Sequence, residues 1–392
     1  MAEELTPKKT GTERQKEIIV AALEKAAQND GVLLNNTGKL APHFFGKEAR
    51  ITPANALVMA MHSDQGGYRT NAYIMYKDTH AREEAVQKGQ KGVPYVWTNN
   101  NQYVNNDNPK DVISKAQFKE LPDADKTQYK PNPREDVYTV FNIDQTTMSS
   151  AHQEDYTQHV ATYGDATARS TDQNDDRAMR IKFNDFLLNV KENLVPLRKD
   201  ASGVAYFDSG KDMLHIPAQK NFPTYGEYAQ EVTRQIVSAT GTPQRLGRVA
   251  GASARRPTEQ QVQREALVVE LASAHRMLEM GLPAKVSDNT KQMLPGIIEQ
   301  LKNDPTFAEK VIHDVNSAVG MMKKAENGEK IVLIEKPSEE QQQVWAAQFP
   351  IDNAPEKFAH IAMLKDDEGA WTLVAKPEDG KTFAVHPEKD DV

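Results

Sequence analysis

Five residues near the end of a predicted helix decide whether this chain could be a zinc hydrolase. The stretch from Glu231 to Arg248, EVTRQIVSATGTPQRLGR, has the pattern of a helix that ends at Thr-Gly and continues into an arginine-rich loop. A zinc hydrolase with this pattern would carry His-Glu-x-x-His here, with two imidazoles binding the metal and the glutamate acting as general base on its water. Arg234, Gln235 and Ser238 stand at those three positions instead. A guanidinium has no lone pair to donate and an amide cannot take a proton from water, so the sequence predicts that this chemistry is absent.

Other combinations of catalytic or metal-binding groups are weak in this sequence. Histidines without a second histidine four residues away include His62, His80, His215, His275 and His313. Glutamates that could bind a hard cation, but that are more often solvent-exposed or paired with a basic residue, are Glu227, Glu231, Glu265 and Glu270. The chain has no cysteine, and no G-x-S-x-G, P-loop or G-x-G-x-x-G motif stands between a predicted strand and helix. We therefore expect no metal, no cofactor and no enzymatic activity.

Aromatic and basic residues interleave between positions 68 and 97 in a pattern that suits single-stranded nucleic acid. Bases stack on flat rings for about 1–3 kcal/mol each, while cations follow the phosphates. The candidate DNA-binding residues in this stretch are Arg69, Tyr73, Tyr76, Lys77, Lys88, Lys91, Tyr95 and Trp97. The competing interpretation is a half-buried sheet in which the aromatic residues belong to the core.

The spacing of apolar residues predicts the elements that would position these groups. In the first part of the chain it predicts helices at 12–29, 54–61 and 78–89 and strands at 72–77, 93–98 and 136–144. The Asn-rich stretch NNNQYVNNDNPKD is predicted to be a loop, and 149–178 a polar linker or surface excursion. Further on, it predicts helices at 183–194, 225–240, 258–280, 288–302 and 305–325, with short strands near 204–207 and 213–216. The last part is predicted to contain a strand at 331, a helix at 338–349 and a meander of strands at 360–364, 371–375 and 382–385.

Charge and hydropathy limit the class of protein further. Residues 335–392 hold 6 basic and 13 acidic residues and so account for −7 of the net charge of −8. No apolar run approaches the ~18–20 residues that a membrane span needs. The segment MAEELTPKKTGTERQ lacks the apolar region of a signal peptide. We expect a soluble protein of the host-cell cytoplasm, with no membrane partner and an acidic C-terminal appendage.

The order of these pieces resembles one family, the ArdC-type antirestriction proteins carried by plasmids and phages. The matching stretches are PANALVM (Pro53–Met59), QKGQKGVPYVW (Gln87–Trp97), VFNIDQT (Val140–Thr146), AYFDSGKDMLHIP (Ala205–Pro217), ATG…RLGR (Ala239–Arg248) and REALVVEL (Arg264–Leu271). The resemblance implies an N-terminal domain that binds single-stranded DNA and a zincin-like metallopeptidase domain after it. It also adds Asn142 and Gln145, from the motif that closes the N-terminal domain, to the candidate DNA-binding residues.

The resemblance further implies a degenerate metal site, formed by Arg234, Gln235, Ser238, Glu265 and Glu270. Arg234, Gln235 and Ser238 take the places of the first histidine, the general-base glutamate and the second histidine. The REALVVEL helix resembles the one that supplies the third ligand of the family, a glutamate. Without the metal this carboxylate would be buried and unpaired, so we predict that the Arg234 guanidinium pairs with Glu270, or failing that with Glu265.

These observations predict an α+β protein with three parts. An α/β domain that binds single-stranded DNA spans 12–150, a mostly helical degenerate zincin-like domain spans 179–328, and a small acidic α+β module spans 331–392. The predicted function is non-catalytic binding of single-stranded DNA in a mobile element or phage, with protection of incoming DNA from restriction. A protein partner would bind the degenerate domain or the acidic module. Two alternatives stay open: a phage structural or cargo protein associated with the virion, and a metallopeptidase with a relocated metal site.

Overall fold

The computed structural model describes residues 9–36, 38–164, 173–200, 203–248 and 257–333, together with three strands nearer the C-terminus. The helices are α1 (Gly11–Gln28), α2 (Pro53–Gly66), α3 (Tyr76–Ala81), α4 (Lys115–Glu120), α5 (Asp123–Lys126), α6 (Met148–Ala151), α7 (Gln153–Tyr163), α8 (Gln173–Asn193), α9 (Tyr225–Thr240), α10 (Glu259–Glu279), α11 (Asp288–Asn303) and α12 (Pro305–Glu326). The strands are β1 (Val32–Leu34), β2 (His43–Phe44), β3 (Ala72–Met75), β4 (Val93–Asn99), β5 (Gln102–Asn105), β6 (Val112–Ser114), β7 (Tyr129–Pro131), β8 (Arg134–Asn142), β9 (Leu197–Lys199), β10 (Tyr206–Asp208), β11 (Met213–Ile216), β12 (Ala284–Lys285), β13 (Phe358–Lys365), β14 (Trp371–Pro377) and β15 (Phe383–Val385). The predicted α+β class is confirmed. Within these ranges, no helix has both the length and the apolar character that a membrane span requires.

A four-stranded sheet in the order β2-β3-β8-β4 organises the first part of the chain. β4 pairs antiparallel with β8 over the full length of β4, from Val93↔Val140 to Asn99↔Arg134. β3 pairs only with the end of β8, from Met75↔Val140 onward. Residues 134–139 of β8 and their partners on β4 therefore form a two-stranded ribbon that extends beyond the rest of the sheet.

The Asn-rich stretch contains a strand, so its prediction as a loop is wrong. β5 pairs antiparallel with β6 on one side and with β7 on the other. Tyr103 on β5 stacks on Phe118 of α4, with ring centroids 3.8 Å apart. The Asn105 side chain accepts hydrogen bonds from the backbone N–H groups of Asp107 and Asn108, at 3.0 and 3.2 Å. The asparagines thus form the turn, and the strand between them is too short to show a periodicity in the sequence.

Two other predictions for this part need correction. The helix predicted at 78–89 is replaced by α3, which begins at Tyr76 and ends at Ala81. It cannot continue because Glu83 has a φ of 57°, outside the right-handed helical region. Residues 153–163, predicted as part of a polar linker, form α7, in which Tyr156 donates a hydrogen bond to Asp144 Oδ1 at 2.8 Å. Burial and this contact raise the pKa of Tyr156 to about 12.

The second part consists of α8 to α12 and a small sheet in the order β10-β11-β9. The predicted bounds of α9 to α12 agree with the structure to within one residue at each end. Local capping explains this agreement, because the side chains of Thr224, Thr258 and Ser287 each accept a backbone N–H from the first turn of their helix.

One hydrophobic core joins the first and second parts. It includes Leu23 of α1, Met59 of α2, Leu271 of α10 and Val315 of α12, none of which is more than 2% exposed. In addition, β1 from the first part pairs antiparallel with β12 from the second. The predicted degenerate metal site therefore lies in a region that packs directly on the N-terminal helices.

The three strands nearest the C-terminus, β13, β14 and β15, form an antiparallel sheet in that order. They correspond to the predicted meander. The helix predicted at 338–349 lies outside the described residues.

The buried His275 of α10 makes the stability of the fold depend on pH. It is 7% exposed, and desolvation lowers its pKa from 6.5 to about 4. Between pH 4 and pH 6.5 the unfolded chain binds a proton at this histidine that the folded chain does not bind. The contribution of His275 to the free energy of unfolding is therefore fully present above pH 6.5 and is lost as the pH falls toward 4. We expect the free energy of unfolding to fall by roughly 1–2 kcal/mol more in the wild type than in His275→Gln between about pH 7.5 and pH 5.

Urea unfolding at the two pH values, in the presence of a chelator, measures this difference. The exposed His313 on α12 provides the matched control, because His313→Gln should keep the pH dependence of the wild type. An identical pH dependence in His275→Gln and the wild type would contradict the assignment.

Candidate functional site

The C-terminal end of α9, which carries positions 234–238, is fixed by two buried arginines. Arg245 binds Asp212 through two hydrogen bonds of 2.7 and 2.8 Å, and Arg248 binds Glu265 through two of 3.0 and 2.9 Å. Each guanidinium also donates to a backbone carbonyl in the last turns of α9, at 3.3 and 2.9 Å. Cations at a helix C-terminus satisfy its free carbonyls and interact favourably with its dipole. These two arginines of the loop therefore clamp the helix that carries the site.

Arg234 was predicted to take the place of the first metal ligand, and its guanidinium binds three oxygen-bearing groups. Nε donates to Glu270 Oε2 at 3.0 Å, and Nη1 donates to Glu231 Oε2 at 2.9 Å. Nη2 donates to the carbonyl oxygen of Lys285. The side chains of Arg234 and Glu270 are 11% and 1% exposed. The predicted ion pair between these two residues is therefore present, and it is buried.

Glu270 is fully engaged by hydrogen-bond donors. Its Oε1 accepts from the backbone N–H of Ser287 at 2.9 Å and from Thr290 Oγ1 at 2.8 Å. Its Oε2 accepts from Arg234, as described above. Glu265, the second predicted partner of Arg234, is bound by Arg248 instead.

The remaining two residues of the predicted degenerate metal site contact only neighbouring turns of α9. Gln235 Nε2 donates to Glu231 Oε1 at 2.9 Å, and Ser238 Oγ donates to the carbonyl oxygen of Arg234 at 3.1 Å. The guanidinium offers no lone pair, and both Glu270 oxygens already accept hydrogen bonds, so a zinc ion does not fit the residues present. Elsewhere in the described part of the chain, no three His, Asp or Glu side chains gather in a group that could hold a metal.

The residues around Arg234 also hold the segment that joins the two parts of the chain. The carbonyl of Lys285 accepts from Arg234 and from Gln230 Nε2, and the backbone N–H of Lys285 donates to Gln230 Oε1 at 3.1 Å. The next residue, Val286, donates its backbone N–H to the carbonyl of Gly31 at 2.8 Å. The sequence analysis missed Gln230 and this segment, because no sequence pattern reports which loop will cross a given helix.

Two of the aromatic residues predicted to bind DNA belong to the core. Tyr73 is not exposed and donates to the carbonyl of Met59 at 2.6 Å, and Tyr95 is 5% exposed and donates to the carbonyl of Arg50 at 2.7 Å. Burial raises the pKa of both phenols. Base stacking on these two rings is therefore excluded in this structure, because the middle of the sheet packs against α1, α2 and Phe44.

Asn142 and Gln145 are also buried, at 0% and 1% exposure, so their predicted contact with DNA is corrected as well. Asn142 Nδ2 donates to the carbonyl of Thr70 at 2.8 Å. Gln145 Nε2 donates to the carbonyl of Lys91 at 3.0 Å, and its backbone carbonyl accepts from the N–H of Gln87 at 2.9 Å. Gln87 and Lys91 are the two ends of the lysine-containing loop before β4, which we call the basic loop. The motif that closes the domain therefore holds both ends of this loop in place.

The other candidate DNA-binding residues have exposed side chains: Arg69, Tyr76, Lys77, Lys88, Lys91 and Trp97. Because the side chains of Lys88 and Lys91 are exposed, their charges are available to solvent and to an anionic ligand.

The two-stranded ribbon carries a second exposed ring beside Trp97. Trp97 is 40% exposed and Tyr138 on β8 is 44% exposed. Tyr138 lies directly opposite Tyr95, and Trp97 is two residues further along β4, so the exposed rings are diagonal neighbours on one face. Such neighbours are about 7–8 Å apart. The sequence analysis missed Tyr138, although the strand pattern of β8 was visible, because its exposure depends on where the rest of the sheet ends.

Comparison with known protein families identifies both parts. Residues 10–141 match the family model described as the N-terminal domain of anti-restriction factor ArdC. Residues 189–311 match the family model of a zincin-like metallopeptidase. No curated protein matches the chain significantly.

The fold is similar to crystal structures of the antirestriction ArdC protein from the R388 plasmid. The metal-free form matches with a TM-score of 0.53 and 17% identity, over 81% of this chain and 98% of that chain. The Mn(II)-bound form matches with the same score and identity, over 80% of this chain and 97% of that chain. The two family models, in this order along the chain, and the common fold together support an ArdC-type protein, in which a part that matches the ArdC N-terminal domain precedes a zincin-like part.

Proposed function

We propose that this protein is a non-catalytic single-stranded-DNA-binding protein that protects the incoming DNA of a mobile element from restriction in the host cytoplasm. The observation that carries the proposal is the exposed pair of rings, Trp97 and Tyr138, on the ribbon of a domain that matches the ArdC N-terminal model. Aromatic rings exposed on a strand bind single strands, because an unpaired base can stack on them whatever its identity.

The basic loop extends the same surface. Lys91 lies just before β4, six positions from Trp97, which corresponds to about 20 Å of extended chain. A short single strand could therefore stack a base at the ribbon while its phosphates lie near Lys88 and Lys91. Gln145 supports this arrangement, because it holds the backbone of the loop.

The proposal that the protein is not a peptidase rests on the degenerate metal site. The buried pair of Arg234 and Glu270 takes up the charge and the lone pairs that a metal would use. The contact of Arg234 with Lys285 ties this pair to the strand that joins the two parts. We infer that the domain serves as a scaffold, and that a protein partner would use it or the acidic C-terminal module.

A salt titration of oligonucleotide binding tests the proposed function. We expect tighter binding to single-stranded than to duplex DNA, with an affinity that falls as the salt concentration rises. In Lys88→Gln/Lys91→Gln, the slope of log K against log salt should decrease by about 1.4, since each phosphate contact contributes about 0.7. Lys324 and Lys330 are exposed and lie outside the proposed surface. The control variant Lys324→Gln/Lys330→Gln should therefore keep the wild-type slope.

The outcomes separate the parts of the proposal. A wild-type protein that ignores oligonucleotides at low salt would overturn DNA binding altogether. A protein that binds single strands but gives transferred DNA no protection in a restricting host would retain the binding function and lose the antirestriction role.

A further inference from the structure

Two histidines meet tip to tip at the edge of the N-terminal sheet, far along the chain from the degenerate metal site. Nε2 of His43, on β2, lies 3.1 Å from Nε2 of His159, on α7. The ring of Tyr163, one helical turn after His159, packs on both, with centroids 5.1 Å from His43 and 4.6 Å from His159. Neither histidine is needed for the DNA-binding surface or for the ion pair of Arg234.

The hydrogen bond at the other side of the His43 ring sets the state of its Nε2. Nδ1 of His43 lies 3.0 Å from the carbonyl oxygen of Ala41. A carbonyl can only accept, so Nδ1 carries the proton, and in the neutral ring Nε2 presents a lone pair toward His159. Histidines that bind metals are commonly held in this way, with the second ring nitrogen donating to a backbone carbonyl.

The distance between the two Nε2 atoms also suits a shared ion. Two zinc–nitrogen bonds of about 2.0–2.1 Å at a tetrahedral angle place their nitrogens roughly 3.3 Å apart. The observed separation of 3.1 Å differs from this by a few tenths of an ångström, which small side-chain rotations could supply. Both histidines are partly exposed, so water can reach the site and complete the coordination.

We propose that His43 and His159 form a two-imidazole binding site for a late first-row transition-metal ion such as Cu²⁺ or Zn²⁺. Imidazole nitrogen is a preferred ligand of these ions, and Cu²⁺ binds most tightly in the series. The chain supplies two ligands, and solvent fills the remaining positions beside the Tyr163 ring. With so few protein ligands the ion exchanges readily, so the site fills when metal is added and empties when a chelator is present.

Binding at this site would fasten α7 to the sheet. β2 and α7 are separated by more than a hundred residues in the sequence, and the ion would join them directly. An ion that binds the folded chain and not the unfolded chain raises the melting temperature, by an amount that grows with the logarithm of the ion concentration once this exceeds the dissociation constant. The competing explanation is a hydrogen bond between the two neutral histidines. It would satisfy the same nitrogens, but added metal would then neither bind there nor raise the melting temperature.

The test uses the full-length, tag-free protein, stripped with a chelator and titrated with CuCl₂. We expect one saturable equivalent of Cu²⁺ per chain that a chelator removes, an electron paramagnetic resonance spectrum with couplings from two imidazoles, and a higher melting temperature. His43→Ala and His159→Ala should each weaken binding at least tenfold and lose one imidazole coupling. The exposed His80 on α3 is the matched control, and His80→Ala should bind as the wild type does.

The wild-type spectrum counts the imidazole ligands by itself, so the test does not depend on whether either alanine variant folds. A spectrum without imidazole couplings would overturn the proposal. So would Cu²⁺ binding that is unchanged in both folded variants, because the ion would then bind elsewhere. A ZnCl₂ titration measured by calorimetry should rank the affinities of the variants in the same order, with weaker binding than that of Cu²⁺.

Discussion

Arg234→Ala should lower the free energy of unfolding by about 3–5 kcal/mol, the largest effect that we expect from a single substitution in this protein. The substitution leaves Glu270, which is 1% exposed, without its cationic partner. Ser287 and Thr290 would still donate hydrogen bonds to its Oε1, but no other charge would compensate the buried carboxylate. Urea unfolding monitored by circular dichroism at neutral pH measures the loss.

Two variants distinguish the loss of a buried pair from a general effect of removing an arginine. In Arg234→Met/Glu270→Met, both charges disappear and apolar side chains of similar length take their place, so most of the lost stability should return. The exposed Arg198 on β9 is the matched control, and Arg198→Ala should change the stability by no more than about 0.5 kcal/mol. A loss below about 1 kcal/mol in Arg234→Ala would show that the pair is not a substitute for a metal ion.

Removal of both exposed rings of the ribbon should produce the largest loss of DNA affinity. Each stacked base contributes about 1–3 kcal/mol, so Trp97→Ala and Tyr138→Ala should each weaken binding of a single-stranded oligonucleotide by roughly 5- to 150-fold. The diagonal spacing of the two rings allows one base to stack between them, so the double variant should lose less than the sum of the single losses. The salt dependence should stay unchanged, because neither substitution removes a charge. Fluorescence anisotropy at several salt concentrations measures both quantities.

The conservative variants Trp97→Phe and Tyr138→Phe serve as controls. Each keeps a flat ring at the surface, so each should retain most of the affinity that its alanine variant loses. If the double alanine variant binds as tightly as the wild type, then the ribbon is not the stacking surface, and the bases must bind at another face of the domain.

Some properties of this protein follow from the sequence alone, because they depend on the atoms of single side chains or on short-range contacts. The prediction that Arg234, Gln235 and Ser238 do not bind zinc needs only these three residues, since the capacity to bind a metal belongs to the side chain itself. The helices α9 to α12 were predicted to within one residue for a similar reason, because their caps and apolar spacing lie within the segment.

The surface, by contrast, was decided by the tertiary structure. Tyr73 and Tyr138 are both tyrosines on strands, yet the first is fully buried and the second is 44% exposed. The difference arises because the pairing of β3 with β8 ends at Met75↔Val140. Beyond this pair only β4 and β8 continue, so the covered sheet is replaced by the two-stranded ribbon. The sequence placed Glu270 ahead of Glu265 as the partner of Arg234, but it could not exclude Glu265, since both lie on the same helix. Arg248 decides this choice by binding Glu265 from a loop whose position depends on the packing of the whole domain. Burial and pairing are set by residues distant in the chain, and only the folded structure brings those residues together.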